Sequence, residues 1–347
     1  MFRPFVRKSV AVKFVALMLA AGAAAARTPE EVATYMGSDR QALLEAGAKQ
    51  EGQLQIYTTG TQSDPVYAAF MKKYPFVRVM AFKANVPDVT RKFFEETRAG
   101  INIADSIDLS TGGLYVMKEG GLLLPYWSPE FEHIRPEVIE AGKHWAIGYE
   151  SYISFGYNTD LVPAADVPKT LDDLLSPKFT GRMALPNGST MINWIGALLR
   201  DKNEDFVRRL AGQKMRVFEV SARAVANLVV SGEVAMSPAS YNSHFANSAD
   251  QGAKVAWTPL GGVNAFVGAF SLAAKAPHPN AAMLYMDFAL SKEGQQVFQK
   301  LGYASTRTDL ANREKPSKIY YLTDEPSYAQ DYERWEVLGR QFLNAKP

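Results

Sequence analysis

Apolar residues recur along the chain in two rhythms, and the rhythms alternate. Leu54 to Tyr57 is a short run with partial apolar–polar alternation, which predicts a strand. Val66, Tyr67, Phe70, Met71 and Tyr74 then recur at helical spacing, with Asp64 placed as N-cap, Pro65 in the first turn and Pro75 as the stop. Phe76 to Phe82 alternates as a second strand, Pro87 to Thr97 reads as helix, and Ile103 to Leu109 reads as a third strand. A helix over Leu114 to Glu119 follows. This β-α-β-α-β order is the pattern of an α/β layer with a largely parallel sheet.

The middle of the chain repeats the theme. Trp145 to Gly148 and Ser151 to Tyr157 predict two strand pieces, interrupted at Tyr149-Glu150 and crossing into a second unit. Thr170 and Asp173 form a capping pair, and a strand at Met183 to Leu185 leads into a helix ending near Leu199. Helices are predicted at Glu204–Ala211 and Ser221–Ser231, with a strand near Arg216–Phe218 between them. Glu233 to Met236 is read as a strand running into a loop over Ser237 to Phe245. Strands at Val255–Thr258 and Ala265–Ala273 and helices after Pro277, at Glu293–Leu301 and at Ser327–Leu343 complete the pattern.

Three of these strands end in small polar loops that open a helix. They are Thr58-Thr59-Gly60-Thr61-Gln62-Ser63, Ser110-Thr111-Gly112-Gly113 and Asn187-Gly188-Ser189-Thr190. Helix N-terminal N–H groups have no internal partner and the helix dipole favours negative charge there, so such junctions suit anions. In open α/β sheets ligands bind where strand ends meet helix starts. Each loop alone also fits an ordinary capped turn; three of them together favour a binding site.

Composition changes the picture mainly at the N-terminus. The formal charge of +2 includes Arg3, Arg7, Lys8 and Lys13, and the first 26 residues hold no acid; without them the balance is −2. No basic run elsewhere supports nucleic-acid binding. Met1 to Lys13 is positively charged, Phe14 to Gly22 is a short apolar run, and Ala24-Ala25-Ala26 offers small residues for cleavage. This predicts a secretory signal peptide over residues 1–26, cut near Ala26, because an anchor wants roughly twenty apolar residues. No cysteine is present, which excludes disulfides, thiolate metal sites, a cysteine nucleophile and a lipobox anchor.

Several strings together resemble the solute-binding proteins of ABC importers. They are Leu54-Gln-Ile-Tyr-Thr-Thr-Gly60, Gly121-Leu-Leu-Leu-Pro-Tyr126, Gly156-Tyr-Asn-Thr-Asp160 and Leu174-Leu-Ser-Pro-Lys-Phe-Thr-Gly181. Ser231-Gly-Glu233, Ala276-Pro-His-Pro-Asn-Ala-Ala282 and Leu290-Ser-Lys-Glu-Gly-Gln295 extend the likeness over the whole mature chain. The branch is that of bacterial ferric-ion-binding proteins, with the type II periplasmic-binding-protein fold. The resemblance implies an α/β fold of two lobes with mixed, largely parallel sheets, joined by crossover hinge strands, that close over a solute. The lobes are placed at 27–149 plus about 260–290 and at 150–259 plus about 291–347, with hinges near 149–152 and 258–264. It also implies a monomer in the periplasm whose partners are a small solute and a membrane permease.

Ferric-binding members hold iron with adjacent tyrosines, often adding a histidine and a carboxylate. Here the tyrosine place reads Asn242-Ser243 beside Tyr241, the histidine place lies near Thr61, and the carboxylate place near Ser110 or Thr111. Neutral hydroxyls and an amide match a hard ferric ion poorly. The expected ligand is therefore a small carboxylate, phosphate, phosphonate or sulfonate, with no metal and no cofactor; a ferric or ferric-chelate cargo is the alternative. The site residues expected are Thr59, Gly60, Thr61, Ser110, Thr111, Glu150, Ser189, Thr190, Ser240, Tyr241 and Asn242. Arg223, after Ser221 at a helix start, reads by default as exposed, with a carboxylate partner as the alternative, and His244 lies close by. No nucleophile elbow, P-loop, dinucleotide fingerprint or H-E-x-x-H is present, so the chain is read as a binder and not an enzyme. A ligand-sensing partner or, at the margin, a hydrolase are the remaining alternatives.

Overall fold

The computed structural model describes residues 27–60, 63–314, 316–325 and 327–344; the signal segment 1–26 and Thr61 lie outside the described residues. Helix α1 (Pro29–Thr34) starts at the expected capping box, where Thr28 N–H donates to Glu31 at 2.8 Å and Glu31 N–H to Thr28 Oγ1 at 3.3 Å. Helix α2 (Arg40–Glu51) leads into β1 (Gln53–Thr58). Then come α3 (Asp64–Lys73), β2 (Arg78–Lys83), α4 (Val86–Arg98), β3 (Ser106–Leu109) and α5 (Thr111–Glu119). Strand β1 pairs in parallel with both β2 and β3, as the alternating pattern requires. At α3 the N-cap position belongs to Ser63; Asp64 is the first helical residue and pairs instead with Lys83.

The short β4 (Leu123–Leu124) precedes β5 (Trp145–Asn158), which is one strand of 14 residues and not two pieces. The second half of the chain continues with β6 (Ala184–Pro186), α6 (Ser189–Asp201), α7 (Glu204–Ala211), β7 (Arg216–Phe218) and α8 (Ala222–Ser231). Next are β8 (Met236–Tyr241), α9 (Asn242–Asp250), β9 (Val255–Thr258) and β10 (Gly262–Ala273). Helices α10 (Pro279–Leu290) and α11 (Lys292–Lys300), strands β11 (Ala304–Ser305) and β12 (Lys318–Tyr320), and α12 (Tyr328–Asn344) close the chain. The β8–α9 unit replaces the loop expected over 237–245.

Strands β5 and β10 carry the architecture. They pair antiparallel from Ala265↔Tyr152 to Ser271↔Trp145 and sit in a mixed sheet ordered β11-β5-β10-β3-β1-β2. The far half of β5, Ile153 to Asn158, pairs instead with β8 and β9. The cores change over at the same place. Trp145, Ile147, Tyr149 and Tyr152 belong to a first core with β1, β3 and α10, whereas Ile153 and Phe155 belong to a second core with α6 and α7. At the entry to β10 the change falls between Leu260 and Val263. A third, small core gathers Val225, Val229 and Phe245 beneath α8 and α9.

One boundary differs from the expectation. Phe298 and Ala304 belong to the first core and α11 packs on α3 and α10, so the segment from about 291 to 305 lies with the first unit. Trp335, Leu338 and Phe342 of α12 pack in the second core.

Candidate functional site

A cleft of ≈ 380 Å³ opens between the two large cores. The Thr59-Gly60 loop and Tyr303 come from the first side, and Thr190, Ser221, Arg223, Tyr241, Ser243 and His244 from the second. Ser151 reaches it from the crossover strand β5. Four helix starts or strand ends therefore converge, which is where such folds leave polar backbone groups unpaired.

The Thr59-Gly60 loop is held from below. Gly60 N–H donates to Thr58 Oγ1 at 2.7 Å, Thr58 Oγ1 donates to Asp108 Oδ2 at 3.0 Å, and Thr59 N–H donates to the Asp108 carbonyl at 3.1 Å. A Cβ on Gly60 would stand 2.3 Å from Ser63 Oγ, so only glycine lets the loop lie this close. Thr59 Oγ1 is buried at the cleft and has no hydrogen-bond partner among the described residues. Unpaired buried hydroxyls are rare, and a ligand atom is one way to satisfy this one.

Asp108 is fully buried beneath this loop, and Tyr149 donates to it at 3.3 Å. Burial pushes its carboxyl up to about 7, against the pull of the Thr58 and Tyr149 hydrogen bonds. The folded state thus holds a proton there that the unfolded chain releases near the ordinary carboxyl range. Stability contributed by this group is present at low pH and is lost as pH rises from about 4 to about 7. Asp108→Asn is expected to gain in unfolding temperature relative to the parent as pH rises through that window. Thermal unfolding at several pH values checks it; a difference that stays constant with pH would contradict it.

On the opposite wall, Ser221 caps α8 by accepting from Ala224 N–H at 3.2 Å, which sets Arg223 in the helix's first turn. The Arg223 guanidinium is partly buried and, among the described residues, donates only to the His244 carbonyl, at 3.5 Å. Among the described residues it forms no ion pair. His244 packs edge-on against Tyr241, centroids 5.5 Å apart, and its buried Nδ1 has no hydrogen-bond partner among the described residues. Burial first, and Arg223 second, push its pKa down to about 3, so the ring is neutral at physiological pH. Burial also raises the Tyr241 phenol to about 12, so it too stays protonated. Tyr241 and Phe266, centroids 6.0 Å apart, give the cleft an aromatic face. Among the described lining residues there is one permanent positive charge and no carboxylate. The remaining polar groups are hydroxyls.

Of the expected site residues, Thr59, Gly60, Thr190 and Tyr241 meet at this cleft. The others do not. Ser110 sits at the N-cap of α5 without a side-chain cap bond, and Thr111 is buried beside it. Ser189 is exposed at the start of α6. The preceding cradle is closed by its own chain: Asn187 Nδ2 donates to both Glu219 carboxylate oxygens, at 2.8 and 2.7 Å, leaving an acid where an anion was expected. Ser240 is fully buried in β8 against Ser237. Glu150 is fully buried and saturated by Arg135 at 2.5 Å, Tyr152 at 2.7 Å and the Tyr321 hydroxyl. Asn242 stands behind the cleft as a strut, its Oδ1 accepting from Ser151 Oγ at 2.9 Å and Tyr152 N–H at 2.8 Å.

The residues that sequence reasoning left out of the site are Ser151, Ser221, Arg223, Ser243, His244 and Tyr303. A signal existed for Ser221 and Arg223: the strand Arg216–Phe218 followed by a capped helix is a fourth junction of the same kind.

Residues 66–320 match the family model of the bacterial extracellular solute-binding proteins. The chain belongs to this family. Its members are the substrate-binding components of ABC importers, and the resemblance read from the sequence holds. No curated protein matches the chain by sequence. Among solved structures, iron-bound HitA from Pseudomonas aeruginosa is similar at 18% identity, with 84% of this chain and 99% of that chain covered and a TM-score of 0.63. AfuA from Actinobacillus pleuropneumoniae with fructose-6-phosphate bound is 23% identical, covering 85% and 97%, with a TM-score of 0.59. The spermidine/putrescine binding protein PotD from Streptococcus pneumoniae is 15% identical, covering 85% and 99%, with a TM-score of 0.64. These likenesses give the type II periplasmic-binding-protein fold; the cargoes named in them differ in charge and kind, so the cleft's own residues must speak for the ligand.

Proposed function

We propose that this solute-binding protein captures a small organic or inorganic anion in the periplasm and presents it to an ABC permease, acting as a monomer and without catalysis. The observation that carries the reading is Arg223: a guanidinium in the cleft with no ion-pair partner among the described residues, surrounded by hydroxyls. A carboxylate, phosphate, phosphonate or sulfonate would accept from its planar fork and from Thr59, Thr190, Ser221 and Ser243. Thr61, in the same loop as Thr59, is proposed as a further contact. The donor set does not fit a ferric ion, which seeks several anionic oxygens, because the described lining has no carboxylate.

Capture would work by hinge closure. Strands β5 and β10 pass between the cores near residues 152–153 and 260–263, so rotation there brings the Thr59-Gly60 loop toward Arg223. A ligand stabilises the closed form only as far as it binds that form better than the open one. The test is a thermal-shift screen of the mature protein against carboxylates, phosphates, phosphonates and sulfonates, with size-matched neutral and cationic compounds beside them. At least one anion class is expected to raise the unfolding temperature in proportion to ligand excess. A response confined to cations or neutral sugars would end the reading.

A further inference from the structure

Beneath the floor of the cleft lies a carboxyl group that meets no cation. Asp108, on β3, sits so close under the Thr59-Gly60 loop that a Cβ on Gly60 would stand 3.3 Å from its Oδ2. The same oxygen accepts from Thr58 Oγ1, which in turn accepts the Gly60 N–H, so carboxyl and cleft loop share one chain of hydrogen bonds. The titratable groups that face Asp108 from the elements around it are phenols: Tyr67 on α3, Tyr149 on β5, Tyr285 on α10 and Tyr303 between α11 and β11. Burial raises the pKa of all four, so they stay neutral. Strand β1 places Thr58 beside Asp108 and β10 places Phe270 there. Asp64, at the start of α3, acts on Tyr67 and is itself paired with Lys83. Among the described residues no lysine, arginine or histidine forms an ion pair with Asp108; its side-chain partners are the Thr58 and Tyr149 hydroxyls.

We infer that Asp108 is a positioning residue that couples anion capture to a proton: its carboxyl takes up H⁺ from water as the anion settles on the Thr59-Gly60 loop, and the ionised carboxylate loosens that hold. The inference rests on the anion reading of the cleft. Two negative charges on either side of one loop, with little water between them, repel each other, and the cheapest relief is to protonate one. A sulfate or sulfonate keeps no proton near neutral pH, so the proton goes to Asp108. Burial already holds this carboxyl near 7, where a modest further push changes its state. By linkage, whatever raises proton affinity at Asp108 on binding must make the anion bind more tightly when Asp108 is protonated.

The test is isothermal titration of the mature chain with sulfate and with benzenesulfonate, whose own charges are constant from about pH 5.5 to about pH 8.5, a window that brackets the Asp108 value. Affinity is expected to fall by roughly tenfold from the acid to the alkaline end, one unit of coupled shift being tenfold in binding. Titrations near neutral pH in amine buffers of different ionisation heat count the protons: a net uptake is expected on binding, and this measurement needs no variant. Asp108→Asn, which keeps an acceptor for Thr58 but cannot ionise, is expected to lose most of the pH dependence and the uptake, and to bind more tightly than the parent at the alkaline end. The inference alone is overturned if the parent binds these anions equally well across the window, if no proton is taken up, or if Asp108→Asn keeps the parent's pH profile. If neither anion binds at any pH, the anion reading of the cleft fails and the inference falls with it.

Discussion

Arg223→Ala is expected to lower affinity for the captured anion by roughly ten- to a hundredfold while leaving the unliganded protein close to its original stability. A hydrogen bond to a charged group is worth about 1.5–3 kcal/mol, and about 1.4 kcal/mol is tenfold in a binding constant. The side chain gives little to the fold, since its one recorded bond is the 3.5 Å contact to the His244 carbonyl. Arg223→Lys is expected to fall between, keeping the charge but losing the two-pronged geometry. The substitution has a second readout. Arg223 is the second cause, after burial, of the depressed His244 pKa, so the alanine variant should show His244 titrating at higher pH in a proton NMR titration. Unchanged anion affinity in Arg223→Ala would remove Arg223 from the site.

Glu150→Ala is expected to destabilise the protein by about 3 kcal/mol or more. Glu150 is fully buried on β5 two residues before the strand changes cores. Removing it leaves the Arg135 guanidinium with the longer, 3.6 Å pairing to Glu137 in place of its 2.5 Å partner, and leaves the Tyr152 and Tyr321 hydroxyls without their acceptor. Breaking a buried ion pair from one side typically costs about 3–5 kcal/mol, and the 25% exposure of the Arg135 side chain sets the lower end here. Glu150→Gln keeps an acceptor and is expected to cost less. Urea unfolding of the three proteins measures this. A destabilisation below about 1 kcal/mol for the alanine variant would mean the cluster is not a strut of the crossover.

The layered α/β pattern was legible because its helices have clean periods, α3 burying Val66, Tyr67 and Phe70 and α4 burying Val89 and Phe93 on one face each, with short apolar runs between them for the strands. The strand over Met236–Tyr241 was not, because Ser237, Pro238 and Ser240 have low strand propensity. Tertiary pairing overrides it, with the proline accommodated where the register against β5 slips between Ser154 and Gly156. Tyr149-Glu150 read as a break because a carboxylate rarely sits mid-strand; its partners, Arg135 and Tyr321, are brought to it only by the fold. The polar loops were legible as a class, yet the helix start that brings an arginine to the cleft is that of α8. Nothing local to Asn187 announces that Glu219, 32 residues away, closes that cradle. Nor does spacing reveal that Asn242 turns inward to brace Ser151 and Tyr152.

The central claim is that the cleft holds a small anion through Arg223 and hydroxyls, without a metal. Isothermal titration of the ligand-stripped protein decides it, with the best anion of the screen in one series and ferric citrate, citrate alone and ferric nitrilotriacetate in others. The expected result is one saturable site for the anion, weakened in Arg223→Ala, and no binding that requires iron. Tight, iron-dependent binding indifferent to the accompanying anion and to Arg223→Ala would contradict it.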